Sequence, residues 1–397
     1  MAMANGAAAG AEGQRGLASG VNAFAVGLYG RIAPADESSV FFSPYSVEMA
    51  LLMARQGARG ATADEMEKVL GVSGGEKAGA LMKRLNGGGG ERGFALSVAN
   101  ALWVEKTFEI LPSYTDALKQ FGVGGAFPED FVGDAEGSRK QINEWVSDHT
   151  QKKIQDLLPP RSVDARTRLV LTNAVYFKAS WQKPFEKNAT TDQPFFMQDG
   201  KQEKLPLMHE GHLHAQYAAD EEVQVLSLPY RMDAPAAGDA GPAPRMSMLV
   251  ILPVKKDGLA AVEKTLTAEK LDGWTGSLKG QMVDVYLPRF KTTSTLTLND
   301  ALKGMGMEKA FGAEADFSGM AKIDRPEDRL RITDVAHKAY VSVDEEGTEA
   351  AAATGVVVGA MAMPMGQPAV FRADHPFLYL IREEASGVVV FMGRMGG

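Results

Sequence analysis

The order of its secondary-structure signals places this chain in the α+β class. Helix caps and helical spacings crowd the part before Leu158, and strand-length runs rich in Val, Leu, Ile and Phe crowd the part after Leu169. The two kinds do not alternate in the βαβ manner of a doubly wound parallel sheet. With 397 residues, 45% of them hydrophobic, the chain can bury a large core. No repeat period and no linker divides it. One domain over 15–397 is expected, behind a disordered tail over 1–14.

The helices come first. Ser43 can cap a helix that Pro44 opens, because proline at the first helical position forfeits no needed donor. That helix carries Val47, Ala50, Leu51 and Ala54 on one face and stops near Gly57. Thr62-Ala63-Asp64-Glu65 has capping-box spacing and predicts a short helix ending at Gly71. Ile142–Val146, continuing to Leu158, reads as another. Strands are predicted at 169–177, 223–228, 246–252, 282–287, 339–343, 377–382 and 388–392. Gly87–Gly90 and Asp233–Pro244 read as loops.

Composition removes several functions. A net charge of −8 leaves no electrostatic footprint for nucleic acid or an anionic membrane. Without cysteine there is neither disulfide nor thiolate chemistry. The Ala- and Gly-rich start lacks the basic and apolar regions of a signal peptide, so a cytoplasmic location is expected and the sequon Asn188-Ala189-Thr190 carries no meaning. The uncharged run 350–371 is long enough to span a bilayer. Thr354, Gln367, Pro364, Pro368 and several glycines interrupt it, and a membrane reading is rejected.

No catalytic constellation assembles. His209-Glu210-Gly211-His212-Leu213-His214 lacks the helical H-E-x-x-H spacing and reads as turn or strand-end histidines, with no metal. There is no G-x-S-x-G elbow and no phosphate loop. Lys77, Lys83 and Arg84 read as a solvated face, so polyanion binding is not expected. Neither enzymatic activity nor a cofactor is expected.

The informative stretch is Asp344-Glu345-Glu346-Gly347-Thr348-Glu349-Ala350-Ala351-Ala352-Ala353-Thr354 and the run behind it, in which no charge appears between Glu349 and Arg372. Read as a strand, 347–361 places Thr348, Ala350, Ala352, Thr354, Val356, Val358 and Ala360 on one face, all small or apolar. Glu349 falls on the other. No proline occurs before Pro364, so each residue keeps its donor, as a central strand requires. Burying Val356 and Val358 would contribute about 1.5–3 kcal/mol each. The pattern fits a segment that slides into a sheet over a packed core.

This segment closely resembles the hinge of inhibitory serpins, the serine protease inhibitors. Further blocks resemble the family in order: Asn22 with Phe41-Phe42-Ser43-Pro44-Tyr45-Ser46, then Gly57-Ala58-Arg59-Gly60-Ala61-Thr62, and Ile142-Asn143-Glu144-Trp145-Val146 through Lys153-Ile154. Leu171-Thr172-Asn173-Ala174-Val175-Tyr176-Phe177-Lys178 with Trp181, Leu287-Pro288-Arg289-Phe290, and Asp374-His375-Pro376-Phe377 with Phe391-Met392-Gly393 continue it. The resemblance covers 20–395 and is similar to plant-type and intracellular members. It implies a fold of three β-sheets and eight or nine helices with an exposed reactive-centre loop at about 345–372. It implies a buried "shutter" of Ser43, Ser46, Asn173 and His337, and a "breach" of Trp181, Arg289 and Glu345, where insertion begins.

In the family the hinge glycine lies fourteen residues before the residue that enters the protease pocket; from Gly347 that is Met361, with cleavage before Ala362. Met363 competes but is followed by Pro364, and Ala360 and Ala362 suit a small pocket. Methionine implies an elastase-, chymotrypsin- or subtilisin-like target and a poor fit to trypsin-like ones. The implied activity is irreversible trapping of a serine protease by a monomer, as a 1:1 covalent acyl complex. A non-inhibitory chaperone or carrier and a cross-class inhibitor of cysteine proteases are the alternatives. Two departures stand out. Gly355 and Gly359 loosen the loop, and the chain ends at Met395-Gly396-Gly397, short of the usual apolar tail, which implies a trimmed last strand.

Overall fold

Strand β4 (Leu169–Ser180) is buried on both faces along most of its length, and the fold builds outward from it. The computed structural model describes residues 18–33, 38–71, 85, 94–121, 124–232, 244–323, 329–348 and 367–396. Beside β4 lie β2 (Phe94–Glu105), antiparallel, and β11 (Ile332–Val343), parallel. β3 (Ala126–Glu129) and β10 (Phe290–Thr297) form the edges. β12, two residues long (Gly347–Thr348), completes a six-stranded sheet.

A nine-stranded sheet faces it. It contains β1 (Val40–Phe42), β5 (Thr191–Phe196), β6 (Gln202–Ala219), β7 (Val223–Pro229), β8 (Met246–Pro253), β9 (Lys279–Pro288), β13 (Ala369–Arg372), β14 (Phe377–Glu383) and β15 (Val389–Met395). β6 is 18 residues long and joins two groups. Its end pairs with β7, continuing to β8, β14, β15 and β1; along its length it pairs with β5 and β9, which carries β13. With the six-stranded sheet, these two groups make the three expected sheets.

Eight helices are described: α1 (18–32), α2 (Pro44–Gly57), α3 (Gly60–Leu70), α4 (Pro112–Leu118), α5 (Phe131–His149), α6 (Leu259–Lys264), α7 (Ala268–Gly276) and α8 (Asn299–Gly304). α2 packs against β2, β4 and β15. Leu169, Leu171, Val175 and Phe177 of β4 join the main core, while Val170 and Ala174 meet a second cluster with Phe131, Ile142 and Val146 of α5. An incoming strand beside β4 would therefore meet apolar surface on both sides.

Ser43 caps α2 as predicted, its Oγ accepting from Ser46 N at 3.2 Å, with Pro44 in the first turn and the helix ending at Gly57. α3 departs from expectation. It begins at Gly60, because Thr62 Oγ1 accepts from Asp316 N at 3.0 Å and is not free to cap. Gly71 ends it in a left-handed conformation, φ 64°, which glycine adopts without strain. The helix predicted to reach Leu158 starts earlier and stops at His149. Gln151, Lys152 and Asp156 take positive φ, and Thr150 Oγ1 donates to Val146 O at 2.8 Å. All seven predicted strands are present, each with altered bounds. β15 pairs as far as Met395, opposite Phe377. The predicted loops Gly87–Gly90 and, up to residue 243, Asp233–Pro244 lie outside the described residues, as do the 1–14 tail and Lys77, Lys83 and Arg84.

Candidate functional site

β11 turns back on itself at its end. Asp344 Oδ1 accepts from Glu346 N at 2.9 Å, and Asp344 N donates to Gly347 O at 2.9 Å, a tight turn of the Asx kind. The chain returns as β12, wedged between the ends of β11 and β4, with Thr348 opposite both Val343 and Ala179. Gly347 has φ 151°, and a Cβ there would lie 2.1 Å from Ala179 O. Only glycine fits. Past the wedge the slot is closed: β4 and β11 pair directly from Tyr176↔Tyr340 to Leu169↔Ile332.

Thr348 is fully buried, its hydroxyl 2.6 Å from the Tyr230 hydroxyl. Tyr230 stacks on Trp181 with ring centroids 4.7 Å apart. Trp181 is 2% exposed; its Nε1 donates to Asp344 O at 2.9 Å and its backbone N to Glu346 O at 2.9 Å. The expected breach residues therefore meet at one point. Arg289 Nε donates to both Glu345 oxygens, at 2.7 and 2.8 Å. The Glu345 side chain is 4% exposed and that of Arg289 42%, so the pair is not an ordinary surface contact. Burial alone would raise the Glu345 carboxyl; hydrogen bonds from Arg289 and Thr190 outweigh it and hold the group below the usual carboxylate range. Lys187 pairs with Glu346 at 2.7 Å. The sequence did not single out Tyr230, Thr190 or Lys187. Thr190, noted there for its sequon, serves instead to hydrogen-bond Glu345.

Below, the four expected shutter residues form one network at the head of α2. His337 Nε2 accepts from Ser43 N at 3.1 Å, so its proton sits on Nδ1 and is donated to Asn173 Oδ1. Asn173 Nδ2 donates to Ser46 Oγ at 2.6 Å, and Ser43 Oγ to Val390 O at 2.7 Å. Burial holds the imidazole neutral, pushing its pKa down to about 3. His337 and Asn173 face each other across the β11–β4 pairing. A fifth member, Asn100 of β2, was missed: its Oδ1 accepts from Ser46 Oγ at 3.0 Å and from Asn173, and its Nδ2 donates to Ser46 O at 3.1 Å. Its signal was available, since an amide amid Phe94-Ala95-Leu96-Ser97-Val98-Ala99 must find partners if buried.

The remaining hinge residues Glu349, Ala350, Ala351, Ala352, Ala353 and Thr354, and the expected reactive bond Met361–Ala362, lie outside the described residues. His209, His212 and His214 lie within β6 astride its bulge. His209 stacks on Tyr286 at 4.3 Å, and His212 N donates to Asp284 Oδ1 at 2.7 Å. Among the described residues no group of three metal-ligating side chains occurs, and no helix is long and apolar enough to cross a membrane.

Comparison with known proteins agrees with this geometry. A family model described as Serpin (serine protease inhibitor) matches residues 19–396. Serpin B8 of Homo sapiens is 38% identical over 379 residues, covering 94% of this chain and 96% of that protein. The leukocyte elastase inhibitor of Xenopus laevis is 36% identical over 388 residues, covering 95% and 98%. The solved structure of Arabidopsis AtSerpin1, in a native stressed conformation, superposes with a TM-score of 0.83 at 27% identity, covering 97% and 98%. The chain belongs to the serpin family of serine protease inhibitors.

Proposed function

We propose that this chain is an irreversible suicide-substrate inhibitor of serine proteases, cleaved between Met361 and Ala362. The target's serine attacks the Met361 carbonyl, the Ala362 amine leaves, and an acyl-enzyme forms. The freed segment 347–361 then enters between β4 and β11. At about 3.3 Å per residue, the completed fifteen-residue strand spans on the order of 50 Å, and the residues after Thr348 carry the tethered protease along it toward the opposite pole. Distortion of its active site stops deacylation, so each inhibitor works once.

The observation that carries this reading is the two-residue wedge. Gly347 and Thr348 are already paired to both strands, while β4 and β11 remain zipped below. Insertion is then propagation of an existing register. Carried six residues forward, that register brings Thr354 opposite Asn173 on β4 and opposite His337 on β11, and these two already face each other. Thr354 shares its strand face with the buried Thr348, so its side chain points toward the network. A threonine hydroxyl accepts from His337 Nδ1 and donates to Asn173 Oδ1, replacing the bond that insertion breaks. Glu349 comes opposite the half-buried Lys178, so the one charge of the inserting segment meets a cation.

Met361 favours a protease with an apolar primary pocket. Incubation with elastase, chymotrypsin, subtilisin and trypsin tests the reading. The expected result is an SDS-resistant adduct with one or more of the first three, cut after Met361 by mass spectrometry, and none with trypsin. Cleavage without any adduct would point to a substrate.

A further inference from the structure

A concave site lies outside both the wedge and the shutter network. The end of β6, β7, α7 and the start of β9 enclose a cleft of about 630 Å³, inside the roughly 300–1,000 Å³ range of small-molecule sites. Local sequence builds it. Thr267 caps α7, its Oγ1 accepting from Lys270 N at 3.1 Å, and the helix presents Lys270, Gly273 and Trp274 on one face. β9 adds Lys279 and Gln281 at alternate positions, which point the same way. The floor is apolar and aromatic. Its aromatic part is the half-buried Tyr217 with the edge of Trp274, whose ring has Lys270 Nζ standing 5.2 Å from its centroid; Val223 and Val225 are fully buried.

The polar groups of the cleft divide into two sets. Asp220 is committed: Oδ2 accepts from Trp274 Nε1 at 3.3 Å, and Oδ1 accepts from Glu222 N and Val223 N at 2.7 and 2.8 Å. Lys270 is committed to Glu222 at 2.5 Å. Lys279 has no carboxylate partner among the described residues, and the Gln281 amide has no hydrogen-bond partner among them. What is left over is a cation and an amide donor beside an aromatic floor.

We propose that this cleft binds a planar aromatic acid, with the ring over Tyr217 and the open edge of Trp274 and the acid group held by Lys279 and Gln281. The site shares no residue with the wedge or the shutter, and its occupancy is readable without any protease.

The test uses the intact chain and the fluorescent probe 8-anilinonaphthalene-1-sulfonate, followed by its emission and by energy transfer from tryptophan. Saturable 1:1 binding is expected. An added Cβ at Gly273 meets nothing within 4 Å, so Gly273→Phe fills the cleft from a helical position that gains propensity, and it abolishes binding without lowering the melting temperature. Lys279→Glu weakens binding by about tenfold or more, the worth of a charged hydrogen bond, and Lys279→Arg restores it. The neutral analogue N-phenyl-1-naphthylamine binds more weakly than the sulfonate. Absence of saturable binding, or binding that Gly273→Phe leaves intact, overturns the site. Equal binding of the neutral probe, or indifference to Lys279→Glu, overturns the acid.

Discussion

Thr348 carries more of the account than any other side chain. It is the last described residue before the loop, fully buried, and hydroxyl-bonded to Tyr230. A charge at this position would lie in the core without a partner, at a cost of several kcal/mol. Thr348→Arg should therefore abolish adduct formation and leave cleavage intact, read on a denaturing gel. Undiminished adduct in that variant refutes entry by way of this position. Glu48 is a different kind of residue. It lies in the middle of α2, wholly buried, with neither carboxylate oxygen hydrogen-bonded, and burial pushes its pKa well up. A raised acid lends stability that is complete below its unfolded pKa of about 4.3 and drains away as pH rises toward the folded value. Glu48→Met keeps the volume and removes the unpaired group, so it should stabilise the native state by about 1–3 kcal/mol. The gain should be larger at pH 8 than at pH 4 in thermal melts; a gain that shrinks with rising pH would contradict it. His337 works the other way. Its depressed pKa contributes stability present above about 6.5 and lost as pH falls toward 3.

At the scale of elements, the relation of β12 to β4 and β11 decides the mechanism. If Thr354 replaces the His337–Asn173 bond on insertion, Thr354→Val leaves a buried donor and a buried acceptor unpaired in the inserted state alone. The native melting temperature should not change, while the number of inhibitor molecules consumed per trapped protease should rise. An unchanged stoichiometry would break the register argument. The same elements show what a sequence reveals and what it hides. α2 was legible because Ser43 and Pro44 sit where a cap and a first turn need them, and β8 and β14 because they are apolar runs. β2 was not read as a strand. Its Ala99 and Ala101 are kept small where they pack with the α5 cluster, and alanine carries little strand propensity. β6 was hidden by alternation with exposed polar residues and by Gly211 at its bulge. The end of α5 had no glycine or proline to mark it, because non-glycine residues take the left-handed positions. Past Thr348 the hinge lies outside the described residues; of the part that is described, the residues that meet around Glu345 and around His337 were legible through resemblance. Tyr230, Asn100, Thr190 and Lys187 were not, since each enters through a contact remote in sequence.

On the proposed function, the six-stranded sheet is short of one strand. β4 is apolar on both faces, it pairs with β11 in the parallel manner, and a hairpin has begun to part them at one end. Parallel pairing is slightly weaker per residue than antiparallel. Replacing one parallel interface by two antiparallel ones adds a ladder of hydrogen bonds and buries Val356 and Val358. The native state would then be held by a kinetic barrier rather than by being lowest in free energy. On the proposed function, cutting the loop would remove the tether that maintains this barrier. The direct measurement is the melting temperature before and after a single cleavage in 355–363 by a protease that forms no adduct. The account predicts a marked rise, because the freed segment becomes a central strand. A melting temperature that stays where it was, or falls, would contradict it.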